Sequence, residues 1–438
     1  MPRKLLLIGA IVLMCLRSGF GQNPIHQSNN RTYFEKAMDL FHAEKYSAAQ
    51  RLFWEYAHST DDELRKADAR HYASICAAEL LLENTVEKAL AYQSVHGEHA
   101  KMPRSQFSLG TYFFREKSYR NALNQFIEFE PILSLYPEEA ESYYFMTGYC
   151  QFVEGNYKEA RSYFDEIIDY QNEYYHLANY FHAYVSFEIG EYEKALKGFK
   201  RIDKHENFKD FVPLYIAEVY AYNKQYDEVI HYGDSILQNA KLQKKHIVHL
   251  LLAQAYFKKN DYANSIKFYE KFNDLRKLST EDSYQFGYAY YQKEDYKKCL
   301  KPFKSIILEQ DSFGQNVTYL MADAHVKNGD KEQSRNAFLL AASMDFDPQI
   351  KEISTFNYAK LSHELKFNKV AMTGFSDFIK NYPKSKYLEE SKVNLTRLLL
   401  NSSNHLKALE LINEIPDPNK KIQEAYQRLA FNVGLEYL

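Results

Sequence analysis

The chain has 438 residues, 45% of them apolar and 26% charged, enough to bury a large core. Its 55 Lys and Arg against 58 Asp and Glu leave a net charge of −3, which excludes a polybasic nucleic-acid binder and a strongly acidic solvating chain alike. Abundant aromatics (38 Tyr, 30 Phe) exclude disorder, and scarce Gly (15) and Pro (11) argue against a collagen-like or turn-rich all-β chain and towards long helices.

The first element serves targeting. Arg3 and Lys4 precede an apolar run from Leu5 to Leu16, followed by Gly19, Phe20 and Gly21. A basic start, a short apolar stretch and a small-x-small exit read as a secretory signal peptide over residues 1–21, with Gln22 the new terminus. Twelve apolar residues rise about 18 Å as a helix, short of the roughly 30 Å of a bilayer core. Cys15 follows Met14, where lipid attachment favours a small residue. Cleavage leaves 52 basic and 58 acidic residues, a net of −6, and the mature chain has no stretch apolar enough to span a membrane. Cys76, Cys150 and Cys299 read as small buried residues, not a disulfide framework.

Residues 22–32 form a short mature N-terminal segment, and a repeat then begins. Tyr-x-x-Ala-x-x-x-Phe recurs at Tyr46/Ala49/Phe53, Tyr119/Ala122/Phe126, Tyr157/Ala160/Phe164 and Tyr192/Ala195/Phe199. Degenerate copies follow at Tyr226/Val229, Tyr262/Ser265/Tyr269 and Tyr296/Cys299/Phe303, and the steps from Tyr119 to Tyr296 are 38, 35, 34, 36 and 34 residues. Nine residues before each Tyr stands a small residue: Ala37, Gly110, Gly148, Ala183, Ala217, Ala253 and Gly287. Phe113, Tyr220, Tyr256 and Tyr290 fall three later. Weaker units follow by spacing at Ala77/Val86/Ala89, Ala322/Ser334/Phe338, Ala359/Ala371/Phe375 and His405/Ala408. Gly155, Gly190, Asn260 and their polar neighbours suit tight turns between paired helices, and Pro137 and Pro213 suit helix starts.

This pattern resembles the tetratricopeptide repeat, a helix–turn–helix unit of about 34 residues. The resemblance implies an all-α, right-handed superhelical solenoid of about eleven units over residues 33–415, the small residue marking where two helices cross. Residues 416–438 align as a final helix, read as the first half of a further repeat in a longer protein; a capping helix is the competing reading. Phe375–Tyr387 is similar to repeats of periplasmic proteins in Gram-negative envelopes, which implies a periplasmic or outer-membrane-associated location.

No phosphate loop, dinucleotide fingerprint, nucleophile elbow or zinc-protease motif occurs, so the sequence supports neither an enzyme nor a cofactor. His96/His99 and His246/His249 lack the further ligands that a metal site needs. Glu138/Glu139 and Glu389/Glu390 read as solvated faces, and the basic clusters Lys241–Lys245 and Lys297/Lys298 are short and balanced.

What the resemblance implies instead is a concave groove lined by first helices, seen from positions three before and one, four and five after the small residue. These are Phe145, Tyr149, Phe152 and Val153; Tyr180, Tyr184 and Phe187; Leu214 and Tyr222; Leu250 and Phe257; and Tyr284, Tyr288 and Tyr291. Aromatic side chains bring large contact area at small entropic cost, which suits a scaffold that binds other envelope proteins or peptides. Phe107/Thr111, Phe145/Tyr149 and Tyr180/Tyr184 depart from the Lys and Asn with which some members grip a terminal carboxylate. A glycan-binding accessory protein is the alternative, because aromatic platforms also stack on sugars.

Overall fold

A computed structural model describes residues 33–306 and 311–437. The signal-peptide reading of residues 1–21 and the segment 22–32 lie outside them, as does Leu438. Twenty-three α-helices and no strands occur among the described residues. The chain divides into two compact units at Asn223/Lys224.

The first unit contains five helical hairpins: Tyr33–His42 with Tyr46–Ser59, Glu63–Glu79 with Thr85–Val95, Met102–Arg115 with Tyr119–Phe129, Ala140–Glu154 with Tyr157–Asp165, and Tyr175–Glu188 with Tyr192–Ile202. Val212–Tyr222 closes it, with Pro213 in its first turn. The second unit opens with Tyr226–Ile236. Five hairpins follow: Lys245–Lys258 with Tyr262–Asn273, Thr280–Gln292 with Tyr296–Lys304, Ser312–Lys327 with Lys331–Ser343, Pro348–Glu364 with Asn368–Asn381, and Leu388–Leu400 with His405–Asn413. Lys420–Glu436 is the last helix; it buries Ile422, Ala425, Leu429 and Val433 and exposes Phe431 and Tyr437. Within each unit a helix packs on its hairpin partner and on the next hairpin, and several successive first helices touch. This is the packing of a helical solenoid.

One turn serves nearly every hairpin. In the fourth, Gly155 is left-handed (φ 84°), and the N–H of Asn156 donates back to the carbonyl of Gln151 at 2.9 Å. This six-residue closure satisfies carbonyls that the helix end leaves unpaired. It recurs from Ser118 to Phe113, Glu191 to Ser186, Asp261 to Tyr256, Asp295 to Tyr290, Asp330 to His325 and Phe367 to Ser362. The left-handed residue is not always Gly or Asn, as the sequence suggests. Glu44, Lys117, Glu294 and Lys366 hold φ between 57° and 67°, a conformation that costs a residue with a Cβ about 1 kcal/mol or more.

The repeat residues meet at the hairpin crossing. A Cβ on Gly110 would lie 2.6 Å from the Phe126 ring, one on Gly148 2.9 Å from Phe164, and one on Gly287 2.6 Å from Phe303. The small residue thus leaves room for the Phe of its own second helix. Ala49, Ala122, Ala160 and Ala195 are fully buried beside it. Where the repeat degenerates, the polar replacement has a partner, as a buried hydroxyl requires. Ser265 donates to the carbonyl of Ala253 at 2.9 Å, Ser334 to that of Ala322 at 2.7 Å, and Tyr269 to Gln285 Oε1 at 2.9 Å. Loops between hairpins are pinned similarly: Gln315, fully buried, donates to the carbonyls of Ala341 and Met344 and accepts from the N–H of Asp347.

Candidate functional site

In the first unit, its five hairpins together line a cavity of about 850 Å3. Its wall is built around Gly110. Phe107, Thr111, Phe114 and Arg115, at positions three before and one, four and five after that glycine, all line it. Phe41 and Tyr46 enter from the first hairpin, Ile75 from the second, Phe145 and Met146 from the fourth and Tyr174 and Leu177 from the fifth. Phe107 stacks on Phe129 at 4.7 Å, Phe145 stacks on Tyr174 at 4.6 Å, and Phe114 meets the edge of Tyr149 at 5.5 Å. These contacts hold the aromatic floor in place.

The rim is charged. Arg104 donates to Glu139 at 3.2 Å and Arg115 to Glu79 at 2.7 Å. Both guanidinium groups are therefore engaged within the protein. Burial lifts the Glu139 carboxyl above the usual carboxylate range; Arg104 pulls it down, and the neighbouring Glu138 adds to the rise. Burial, then the fields of Glu79 and Glu44, push the Tyr46 phenol up to about 12. The Ser108 hydroxyl, on the same wall, has no hydrogen-bond partner among the described residues.

The residues expected to face the groove divide into two groups. Phe145, Tyr149 and Tyr180 are only 1–3% exposed, and Leu214 is also buried. Phe145 edges the cavity floor but does not stand free, and Tyr180 is enclosed by Phe199, Phe208, Phe211 and Tyr215. Their side chains fill the layer between successive hairpins, so they do not form an open binding face. Phe152, Tyr184 and Phe187 are half-buried and Tyr222 is 62% exposed. Phe152 meets Tyr184 at 5.7 Å, and Phe187 meets Tyr222 at 5.2 Å. In the second unit the structure brings Phe257, Tyr284, Tyr288 and Tyr291 into one row: Phe257 lies 6.1 Å from Tyr288, which lies 5.6 Å from Tyr284 and 6.3 Å from Tyr291. Tyr291 donates to Asp323 and accepts from Lys327 at 2.9 Å.

Tyr157, Tyr192, Tyr262 and Tyr296 extend these rows. They are the repeat-marking tyrosines, each the first residue of a second helix, and that position identifies them without a structure. No group of three or more potential metal ligands converges among the described residues. His99 instead pairs with the Tyr92 hydroxyl at 2.7 Å and faces Asp68. Cys76, Cys150 and Cys299 are buried and free, and no described helix is long and apolar enough to cross a membrane.

Two family profiles, each described as a tetratricopeptide repeat, match residues 142–171 and 247–277. The matches fall on the hairpins of Gly148/Phe164 and of Ala253/Tyr269. The chain therefore carries tetratricopeptide repeats at these two places. Its repeats share backbone similarity with solved structures at low identity. A monomeric IFIT1 mutant with Gppp-AAAA is 14% identical, covering 83% of this chain and 90% of that one, with a TM-score of 0.30. The human IFIT1 dimer with m7Gppp-AAAA is 13% identical, covering 84% and 90%, with a TM-score of 0.30. Naa15/Naa10 bound to HypK-THB is 11% identical, covering 90% and 72%, with a TM-score of 0.43. No curated protein matches the sequence.

Proposed function

We propose that this tetratricopeptide protein-interaction scaffold grips a short segment of a partner protein in the cavity of its first unit, and that it does so in the bacterial envelope after export. The carrying observation is the cavity itself, about 850 Å3 in volume, with an aromatic floor braced by stacked rings and a rim of polar groups. A cleft of that size with a few convergent polar groups is the usual form of a binding site. Phe152, Tyr184, Phe187 and Tyr222, and in the second unit Phe257, Tyr284, Tyr288 and Tyr291, supply further partner contacts in this reading. Export rests on the leader at residues 1–21 and on the likeness of Phe375–Tyr387 to periplasmic repeats.

A photo-cross-linking residue placed at Thr111, on the cavity wall, is expected to capture a partner. The same residue at Ile127, exposed on the second helix of that hairpin, is expected to capture none. Equal capture at both positions overturns the groove. Amino-terminal sequencing of the protein from fractionated cells is expected to begin at Gln22 in the envelope fraction; an intact Met1 in the cytoplasm overturns export.

A further inference from the structure

The cavity of the first unit carries an imbalance that points to the chemistry of its occupant. Six Glu line it against two Arg: Glu44, Glu79, Glu138, Glu139, Glu141 and Glu173 facing Arg104 and Arg115. Both Arg are consumed, one by Glu139 and one by Glu79. Among the described residues, Glu44, Glu138, Glu141 and Glu173 have no cation within ion-pair distance. An apolar floor below four uncompensated carboxylates favours an apolar side chain with a positive charge beside it and repels a carboxylate. We propose that the cavity selects a peptide segment in which a Lys or Arg lies within one or two residues of a bulky apolar side chain: the apolar group packs beside Phe107 and Phe114, and the cation meets Glu138, Glu141 and Glu173. This rests on the groove reading above and adds the sign of the charge. A carboxylate-gripping cavity would instead present unpaired cations, and both Arg here are already bound.

The test uses the full chain and a fluorescein-labelled peptide, Gly-Ser-Phe-Lys-Leu-Lys-Ser-Gly, read by fluorescence anisotropy. Two control peptides replace both Lys by Gln, or Phe and Leu by Ser. The parent peptide is expected to bind, and each control to bind at least about tenfold more weakly. The triple variant Glu138→Gln, Glu141→Gln, Glu173→Gln is expected to weaken the parent peptide about tenfold, from three exposed pairs each contributing modestly. Glu128→Gln, Glu159→Gln, Glu193→Gln changes the net charge equally on exposed positions of second helices and is expected to leave binding unchanged. Thr111→Trp, which fills the cavity without altering charge, is expected to abolish binding, with circular dichroism verifying its fold and Thr111→Tyr as the milder substitute. Loss with Thr111→Trp but equal affinity for the Lys and Gln peptides overturns the charge selection and leaves the groove standing. Binding insensitive to Thr111→Trp overturns both. No binding of the parent peptide to the wild-type chain overturns the charge selection.

Discussion

His71 offers a quantitative test of packing in the second hairpin. It sits in the Glu63–Glu79 helix with no exposed surface, its ring 5.0 Å from Tyr72 and 5.6 Å from Tyr92, and neither ring nitrogen has a hydrogen-bond partner among the described residues. Burial above all, then Lys101, Arg104 and His99, depress its pKa from 6.5 to about 3. A histidine whose folded pKa is depressed contributes stability that is complete above the unfolded value. That stability is lost as pH falls from 6.5 towards 3, because only the unfolded chain takes the proton. At pH 5 the unfolded group lies about 1.5 pH units below its pKa while the folded group stays neutral, a penalty of about 2 kcal/mol. His71→Leu, of similar volume and without orphaned nitrogens, removes that term. Urea unfolding of both proteins at pH 7.5 and pH 5 is the assay. The stability difference in favour of the Leu variant is expected to widen by about 2 kcal/mol on going to pH 5. A difference that stays constant between the two pH values would show that His71 is solvated or protonated in the folded chain, and would refute the packing described for this hairpin.

Three further outcomes follow from the turns, the crossings and the thiols. Lys117→Gly and Glu294→Gly relieve left-handed strain and are each expected to raise stability by about 0.5–1 kcal/mol, while Gly155→Ala, with open space around its Cβ position, lowers it by a similar amount; thermal melts decide. Gly110→Ala gains about 1 kcal/mol of helix propensity but forces its methyl against the Phe126 ring, so the net effect is destabilising, and Phe126→Leu in the same chain is expected to recover part of the loss. The buried thiols of Cys76 and Cys299, pushed up to about 12 mainly by burial, are expected to resist a thiol reagent at pH 8 in the folded chain and to react fully in urea; rapid reaction without urea contradicts their burial.

The hairpins were legible because each rests on a residue choice with few substitutes. Gly110, Gly148 and Gly287 stand where a Cβ would strike the Phe of the second helix, so the glycine and the phenylalanine recur together at a fixed spacing. Even Ser265 and Ser334 could be read as stand-ins for Ala, although their hydrogen bonds to Ala253 and Ala322 could not. The groove was harder. Its position rule holds at Gly110 for Phe107, Thr111, Phe114 and Arg115, a set that is not among the expected groove residues. Applied one repeat later, the same rule selected Phe145 and Tyr149, which neighbouring hairpins cover. Spacing within one helix does not say how closely the next hairpin packs. The ion pairs of Arg104 with Glu139 and Arg115 with Glu79 join residues 35 and 36 apart, and without them the uncompensated charge of the rim is invisible.

Hydrogen–deuterium exchange of the full chain, with and without the Phe-Lys-Leu-Lys peptide, tests the groove most directly. Slower exchange is expected in Met102–Arg115 and Ala140–Glu154, the first helices that wall the cavity, with little change in Tyr119–Phe129 and Tyr157–Asp165 behind them. Protection confined to those second helices, or to residues 224–437, would contradict a peptide seated in the cavity.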